Sequence, residues 1–272
     1  MKTETNATVE HQAAIMDEND PLLALIRRRH SSRGEFNPDR RISKPVLARI
    51  LEAARWAPTP NNMQNFQIVV VDDPKTLTLI GALSAEMSEA YLKENYALLS
   101  ASEAELRVKK VGTLAGIYPR AWVDPEAWNP TSDYRSQLTY LGKTLLQPNV
   151  LFVVLYDSES RAPGSEGDTL GFMGLGCVME NMWLTAESLG VGMHILTVFA
   201  DSQVEAEVRR VLKIEPQMKI AFACGLGYHA DPSVEDVRVR RDLEDFVHHN
   251  AFRQKGVAWS QELKEPPSEE KG

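Results

Sequence analysis

The stretch from Gly171 to Gly190, GFMGLGCVMENMWLTAESLG, constrains the fold more than any other part of the sequence. Its apolar residues fall on nearly every side of a helix, so a helix formed here must be buried almost all round. Other elements must supply the apolar surface that covers it. A chain of 272 residues with 43% hydrophobic residues is long enough to build such a core without disulfides or a metal.

Apolar runs and helical periods along the rest of the chain predict further strands and helices. The sequence predicts strands over Phe66–Asp73, Pro148–Asp157, Val191–Leu196 and Met218–Tyr228. Helices are predicted over Asp20–His30, Ser43–Ala57 and Ser202–Ile214, with Asp20 and Ser43 as the caps of the first two, and the region from Pro74 to Gly116 is mostly helical. This mixture indicates an α/β or α+β fold.

Charge and cysteine content exclude several classes of protein. The chain has 38 acidic against 30 basic residues, a net charge of −8, which argues against nucleic-acid binding. Its two cysteines, Cys177 and Cys224, form neither a disulfide framework nor a zinc site, so we expect a reducing, cytoplasmic location. No run approaches the roughly 18 apolar residues that a membrane span needs. The polar N-terminal stretch is not a secretory signal.

The chain shows no internal repeat and no low-complexity linker, so we expect one domain. It should span residues 19–262 and include a variable segment at about 101–135. Residues 1–18 and 263–272 are expected to be mobile ends.

An arginine-rich segment, RRRHSSR, follows the first predicted helix. Arg27 and Arg28 suit a helix end, where cations offset the dipole. Arg29, Ser31 and Arg33 alternate beyond it, and alternate side chains of an extended chain face the same way. Two guanidinium groups beside a hydroxyl can bind a phosphate. A solvated basic helix end is the alternative interpretation.

Two further stretches have the composition of ligand-binding segments. APTPNNMQNFQ, from Ala57 to Gln67, places four side-chain amides in a loop, which suits the edge of a heterocycle, although a solvated turn is an equal alternative. Gly174 and Gly176 suggest a dinucleotide fingerprint, but Met179 stands where its third glycine should be, so we reject a Rossmann site. Glycines here instead allow a flat ligand to approach the backbone.

Near the C-terminus Arg238 and Arg240 again alternate, either as a second cationic pair or as a solvated turn. The adjacent His248 and His249 should point apart, which disfavours a shared metal. His194 and His229 are isolated, and the sequence has no GxSxG, HExxH or Cys/His dyad signature.

Taken in order, these stretches resemble the flavin-dependent nitroreductase family over about residues 21–250. RHSSR resembles its opening Arg-x-Ser-x-Arg/Lys, and the block ILEAARWAPTPNNMQNFQIVVV resembles its second motif. MGLGCVMENMWLTAESLGVG resembles its long helix, and IAFACGLGYHADP with the following arginines resembles its closing strand. The resemblance implies an α+β, three-layer α/β/α fold, with a mostly antiparallel sheet between helices, in an intertwined homodimer.

The resemblance also implies bound FMN, which would carry the hydride chemistry so that no catalytic side chain is needed. Asn62 and Gln64 would reach the flavin from the partner subunit, and the backbone at Met173 and Gly174 would face flavin N5. The implied cofactor-binding residues are Arg29, His30, Ser31, Arg33, Thr59, Pro60, Asn62, Gln64, Met173, Gly174, Arg238 and Arg240. No metal is expected.

The activity implied is NADH- or NADPH-dependent reduction of nitroaromatic or similar electron-poor compounds by a ping-pong mechanism. The alternatives are reduction of quinones or activated alkenes, reductive dehalogenation, flavin fragmentation, or flavin binding without turnover. Tyr118, Trp122 and Trp128 lie in a proline-broken stretch that we expect to form the mouth of the site and to contact a small aromatic substrate. Anchoring of that stretch to the body of the protein is the alternative role for these aromatic residues.

Overall fold

A computed structural model describes residues 20–33, 35–83, 94, 99–117, 149–161, 167–230 and 237–263. The chain divides into two compact units. The larger comprises Leu25–Ser88 and Asn129–Glu235, and the smaller comprises Met1–Ala24, Glu89–Trp128 and Asp236–Gly272. The predicted extent of a single domain stays a prediction.

The secondary structure agrees closely with the sequence-based expectations. The helices are α1 (Pro21–Arg28), α2 (Lys44–Arg55), α3 (Pro74–Gly81), α4 (Glu103–Lys109), α5 (Thr169–Ser188), α6 (Ser202–Leu212), α7 (Leu243–Phe246) and α8 (Trp259–Glu262). The strands are β1 (Phe66–Val71), β2 (Ser100–Ala101), β3 (Thr113–Leu114), β4 (Val150–Asp157), β5 (Gly192–Ile195) and β6 (Met218–Gly227). Short 3₁₀ turns occupy Pro60–Asn62, Ala115–Ile117 and Thr197–Ala200.

The larger unit is built on a four-stranded sheet in the order β1-β4-β6-β5. Every neighbouring pair is antiparallel, with Val69 opposite Val153 and His194 opposite Gly225. The sheet has a bulge between Val154 and Leu155. The predicted mostly antiparallel sheet is therefore confirmed.

Helices cover both faces of this sheet because its central strands are apolar on both sides. On one face, Phe152 and Cys224 belong to a core cluster that includes residues of α2 and α5. On the other face, Val153 and Ala223 belong to a second cluster with residues of α3 and α6. A layer of helices therefore packs on each face of the sheet through one of these clusters, which gives the three layers of the predicted α/β/α arrangement.

The predicted caps of the first two helices fare differently. The Asp20 carboxylate accepts a hydrogen bond from the Leu23 amide at 2.9 Å, as expected. Ser43 stands at the N-cap of α2, but its side chain makes no capping hydrogen bond. Pro45 has no N–H to donate, and the Val46 amide donates to the Ser43 carbonyl oxygen instead, at 3.0 Å.

Helix α5 forms where the sequence predicts it, but the residues that the structure describes do not cover it all round. Val178, Met182 and Ala186 are fully buried in the core. At its N-terminal end Phe172 and Met173 are 51% and 64% exposed. A helix that is apolar on nearly every side therefore keeps apolar surface that the larger unit does not cover.

In the smaller unit, the predicted mostly helical region also contains a two-stranded parallel sheet, β2 with β3. A capping box between Ser102 and Glu105 begins α4. His248 and His249 contact different aromatic rings, those of Phe252 and Trp259, so they diverge as expected. Across the described ranges, no helix is long and apolar enough to cross a membrane, and no group of three or more His, Cys, Asp or Glu side chains could hold a metal ion.

Candidate functional site

The arginine-rich segment, residues 27–33, begins with the last two residues of α1 and continues along the sheet. β5 is an edge strand of the four-stranded sheet that the structure describes. The Ser32 backbone N–H donates a hydrogen bond to the carbonyl oxygen of Met193 in β5 at 3.0 Å. Past residue 34, which lies outside the described residues, Phe36 forms an antiparallel bridge with His229 just after β6. The sheet therefore fixes the backbone of the segment at two points.

Three side chains of α5 contact this segment, and we call them the clamp stripe: Glu180, Trp183 and Glu187. Their spacing places them on one side of the helix. The ring of Trp183 lies 4.5 Å from the guanidinium carbon of Arg29, and its Nε1 donates to the carbonyl oxygen of His30 at 2.9 Å. Oε1 of Glu180 lies 3.5 Å from Nε of Arg29. Sequence patterns gave these three residues no role.

The clamp stripe contacts Arg29 but does not supply acceptors for all of its N–H groups. The Arg29 side chain is only 20% exposed, and its buried Nε makes no hydrogen bond to any described residue, including Glu180. Glu187 accepts a hydrogen bond from Nε of Arg28 at 2.9 Å, and its other oxygen lies 3.8 Å from Nδ1 of His30. Arg29 therefore keeps donor capacity that an anion could use.

A second set of contacts holds the segment from the side of β6. Oγ of Ser32 lies 3.1 Å from Nε2 of His229, and the Ser32 residue is 2% exposed. The ring of His30 stacks on that of His229 with centroids 5.6 Å apart. A Cβ at Gly192 would lie 2.7 Å from Oγ of Ser32 and 2.8 Å from Nε2 of His229. Only glycine at this place in β5 leaves room for both side chains.

His194, the next residue of β5 but one, is buried and its Nδ1 has no hydrogen-bond partner among the described residues. Burial, with a smaller contribution from the positive charge of Arg33, lowers the pKa of His194 to about 4. His194 is therefore neutral at pH 7.

The arginine-rich segment is not extended throughout, because the Arg33 backbone N–H donates to the carbonyl oxygen of Ser31 at 3.0 Å and turns the chain there.

The amide-rich loop between α2 and β1 is compact and conformationally unusual. The backbone N–H of Gln64 donates to Oγ1 of Thr59 at 3.1 Å, and the side-chain Nε2 of Gln64 donates to Oδ1 of Asn62 at 3.0 Å. Asn61, Asn62 and Gln64 have φ of 49°, 55° and 48°, in the left-handed region. Asparagine tolerates this region better than most residues, whereas glutamine does not. Such clustered backbone strain is typical of ligand-binding loops.

Gly174 of α5 allows this loop to approach the helix. A Cβ at Gly174 would lie 3.2 Å from Cδ of Pro60 and 3.5 Å from Cα of Thr59. Met173 stands next to the contact with its side chain largely exposed. The predicted residues of the loop and of the helix therefore lie together.

The predicted residues of the larger unit form two groups on different sides of α5. Gly174 and Trp183 are nine residues apart, about 14 Å along the axis and about half a turn around it. The first group comprises Arg29, His30, Ser31 and Arg33, and the second comprises Thr59, Pro60, Asn62, Gln64, Met173 and Gly174.

In the smaller unit, Arg238 and Arg240 are exposed, while Val237 and Val239, which alternate with them, are half-buried. Both arginine side chains therefore lie at the surface, which fits a second cationic pair and a solvated turn equally. Nη1 of Arg240 donates to the carbonyl oxygen of Val239 at 2.8 Å. The three aromatic residues predicted at the mouth of the site lie outside the described residues, and they are Tyr118, Trp122 and Trp128.

The family model described as "Nitroreductase family" matches residues 26–228, which include the arginine-rich segment, the amide-rich loop, α5 and β6. The chain belongs to the nitroreductase family. Membership confirms the predicted family and fold, and with them the prediction of an oxidoreductase.

Relatives of this nitroreductase-family chain have low sequence identity to it. It is 22% identical over 234 residues to an NADPH-dependent oxidoreductase of Staphylococcus haemolyticus, covering 86% of this chain and 75% of that protein. It is 28% identical over 111 residues to a CLA biosynthesis enone reductase of Lactiplantibacillus plantarum, covering 41% of this chain and 45% of that protein. A nitroreductase structure with bound FMN from Desulfitobacterium hafniense superposes with a TM-score of 0.53 at 18% identity, covering 85% and 98% of the two chains.

Proposed function

We propose that this nitroreductase-family protein is an FMN-dependent oxidoreductase that takes hydride from NADPH or NADH and reduces nitroaromatic or similar electron-poor compounds. The observation that carries the proposal is the arginine-rich segment, held by the sheet and α5 with Nε of Arg29 buried and unbonded. The NADPH dependence of the staphylococcal relative and the FMN bound in the solved neighbour support the same assignment.

The residues present fit FMN chemically. A phosphate needs cationic and neutral donors, and the segment offers the incompletely bonded Arg29, with Arg33 and the hydroxyl of Ser31 close in sequence. Neutral amides at Asn62 and Gln64 suit the donor and acceptor edge of an isoalloxazine. A Cβ at Gly174 would intrude on the loop that carries them. We assign Arg238 and Arg240 to the phosphate as well.

The protein side chains bind and orient in this mechanism, and none has to act as acid or base. When bound, FMN supplies hydride acceptance and donation at N5. The arginine-rich segment would hold the phosphate of FMN, and the side-chain amides of Asn62 and Gln64 would hold its ring. NAD(P)H and the oxidant would bind in turn at the same place, which is the proposed ping-pong mechanism and would need no Rossmann site.

We further propose that two subunits share each site. Within one chain the arginine-rich segment and the amide-rich loop contact α5 on opposite sides, with about 14 Å between the contacts along its axis. One flavin is more readily held by the segment of one subunit and the loop of its partner. The exposed apolar side chains of Phe172 and Met173 support burial of this end of α5 in a homodimer.

Reduction of activated alkenes is the second candidate function, because one relative is an enone reductase. Quinone reduction, reductive dehalogenation, flavin fragmentation and flavin binding without turnover stay as alternatives. The cytoplasmic location also stays a prediction, based on two cysteines that form no disulfide.

A panel of oxidants tests the assignment of substrate. The FMN-saturated protein is reduced with NADPH without oxygen and mixed with a nitroaromatic, a quinone or an α,β-unsaturated ketone. We expect the nitroaromatic to restore the flavin absorbance fastest, at a rate that increases with its electron affinity. Faster reoxidation by the unsaturated ketone would assign the second function. Failure of every oxidant would indicate a flavin-binding protein without turnover.

A further inference from the structure

We propose that Trp183 is a positioning residue that orders Arg29 for the flavin phosphate before the flavin binds. The inference rests on the proposed function, since it takes FMN as the ligand of the arginine-rich segment. It concerns a residue of α5 that sequence patterns gave no role at the site.

One indole side chain holds the segment by two different groups. Its ring face contacts the Arg29 guanidinium, with the guanidinium carbon 4.5 Å from the ring centre. Its Nε1 donates to the carbonyl oxygen of His30 at 2.9 Å. Trp183 therefore fixes both the side chain of Arg29 and the backbone immediately after it.

The anchor itself is rigid. Trp183 is 8% exposed and belongs to the core cluster with Val178, Met182 and Ala186, which are fully buried in α5. A free arginine side chain has many rotamers, and immobilising it on binding costs affinity. Contact with a fixed ring removes part of that cost before the ligand arrives.

An indole is also better suited to this task than a carboxylate. A carboxylate hydrogen-bonded to Arg29 would occupy its donors and repel a phosphate. The ring contacts the face of the guanidinium and leaves the N–H groups at its edge. Glu180 approaches Nε of Arg29 to 3.5 Å but makes no hydrogen bond with it, and the Arg29 side chain keeps 20% of its surface exposed beside the ring.

The test compares FMN with riboflavin, which has the same ring system and no phosphate. We expect Trp183→Leu to weaken FMN binding by about 10-fold, within the range of a desolvated cation–π contact. Riboflavin binding should change by less than about 2-fold, because only the phosphate contact depends on Arg29. Trp183→Phe keeps a ring but loses the N–H, so its FMN affinity should fall by about 3-fold.

A double-mutant cycle and a control separate positioning from general packing. Arg29→Ala with Trp183→Leu should bind FMN at most about 3-fold more weakly than Arg29→Ala alone, because only the hydrogen bond from Trp183 to His30 is still there to lose. Trp56→Leu removes a tryptophan that is 72% exposed and should leave the ratio of FMN to riboflavin affinity unchanged. If Trp183→Leu does not fold, the same ratio is measured in Trp183→Phe.

Equal losses for FMN and riboflavin, or fully additive losses in the double variant, would overturn the inference and leave Trp183 a core residue. An unchanged FMN affinity in both Trp183 variants would also overturn it. Wild-type protein that binds neither flavin would instead contradict the proposed function.

Discussion

Arg29 differs from the other cations of its segment in how its charge is balanced. Arg28 donates to Glu187 at 2.9 Å, which is an ordinary ion pair at a helix end. Arg29 contacts a ring face, and its ion pair with Glu180 at 3.5 Å from Nε includes no hydrogen bond. Because the Arg29 side chain keeps 20% of its surface exposed, an anion can reach the guanidinium beside the ring.

Replacing Arg29 should therefore weaken FMN binding. Arg29→Ala removes charge-assisted hydrogen bonds that are each worth roughly 1.5–3 kcal/mol, equal to roughly 10- to 150-fold in affinity. We expect a loss within the same range for Arg240→Ala. Fluorescence titration of the apoprotein measures the affinity, and Arg55→Ala, whose partner is Glu52 on the surface of α2, serves as the control. An unaltered affinity in both Arg29→Ala and Arg240→Ala would mean that the phosphate binds elsewhere.

His194 should make the stability of the protein depend on pH. Its pKa is lowered from the ordinary 6.5 to about 4 in the folded protein, so the unfolded chain takes up the proton first as pH falls. The contribution of His194 to the free energy of unfolding is complete above pH 6.5 and is lost as the pH falls towards 4. The loss amounts to about 3 kcal/mol, because each unit of pKa difference corresponds to about 1.4 kcal/mol.

Urea unfolding at pH 7 and near pH 4.5 measures this dependence. His194→Gln lowers the free energy of unfolding at pH 7, where it replaces a well-buried neutral ring, but should flatten its decrease with falling pH. An equally steep decrease in the variant and in the wild type would show that other groups control the acid transition.

At the scale of elements, hydrophobic periodicity predicted most of the fold correctly. The bounds of α5 lie within two residues of the prediction, and β4 and β6 were found from their apolar runs. The clamp stripe could not be predicted, because Trp183 and Arg29 are in contact although they lie 154 positions apart in the sequence (183 − 29). A spacing of i, i+3 and i+7 fits a surface ion-pair face equally well.

β5 packs so closely against the arginine-rich segment that a methyl group at Gly192 should destabilise the protein. Gly192→Ala would bring a methyl group within 2.7 Å of Oγ of Ser32 and 2.8 Å of Nε2 of His229. We expect a loss of roughly 1–3 kcal/mol in the free energy of unfolding, as for other overpacked sites. FMN affinity should fall with it, because the segment must shift.

Gly176→Ala is the matched control for this substitution. Gly176 lies in α5 and has nothing within 4 Å of an added Cβ, so the variant should gain up to about 1 kcal/mol of stability. Denaturant titration compares the two variants. A Gly192→Ala variant as stable as the wild type would show that the segment accommodates the methyl group without cost.

At the scale of the whole molecule, the predicted family and its three-layer fold agree with the structure, while assembly stays a proposal. The exposed apolar side chains at the start of α5 and the two groups of site residues on its opposite sides both favour shared sites. One sequence could not reveal this arrangement, because periodicity does not distinguish a core helix from a helix at an interface.

Sedimentation velocity tests the assembly. We expect a dimer at micromolar concentration, with activity falling in step with dimer content when the protein is diluted. A monomer that keeps full activity would exclude sites shared between subunits.

The most direct test of the central claim is the visible absorbance of the protein purified with FMN and mixed with NADPH or NADH in the absence of oxygen. We expect the protein to hold about one FMN for each chain. We also expect the pyridine nucleotide to bleach the flavin absorbance and an added nitroaromatic to restore it. A protein that stays colourless after reconstitution with FMN would contradict the assignment of the arginine-rich segment as a flavin phosphate site, and a flavin that neither nucleotide bleaches would contradict the proposed activity.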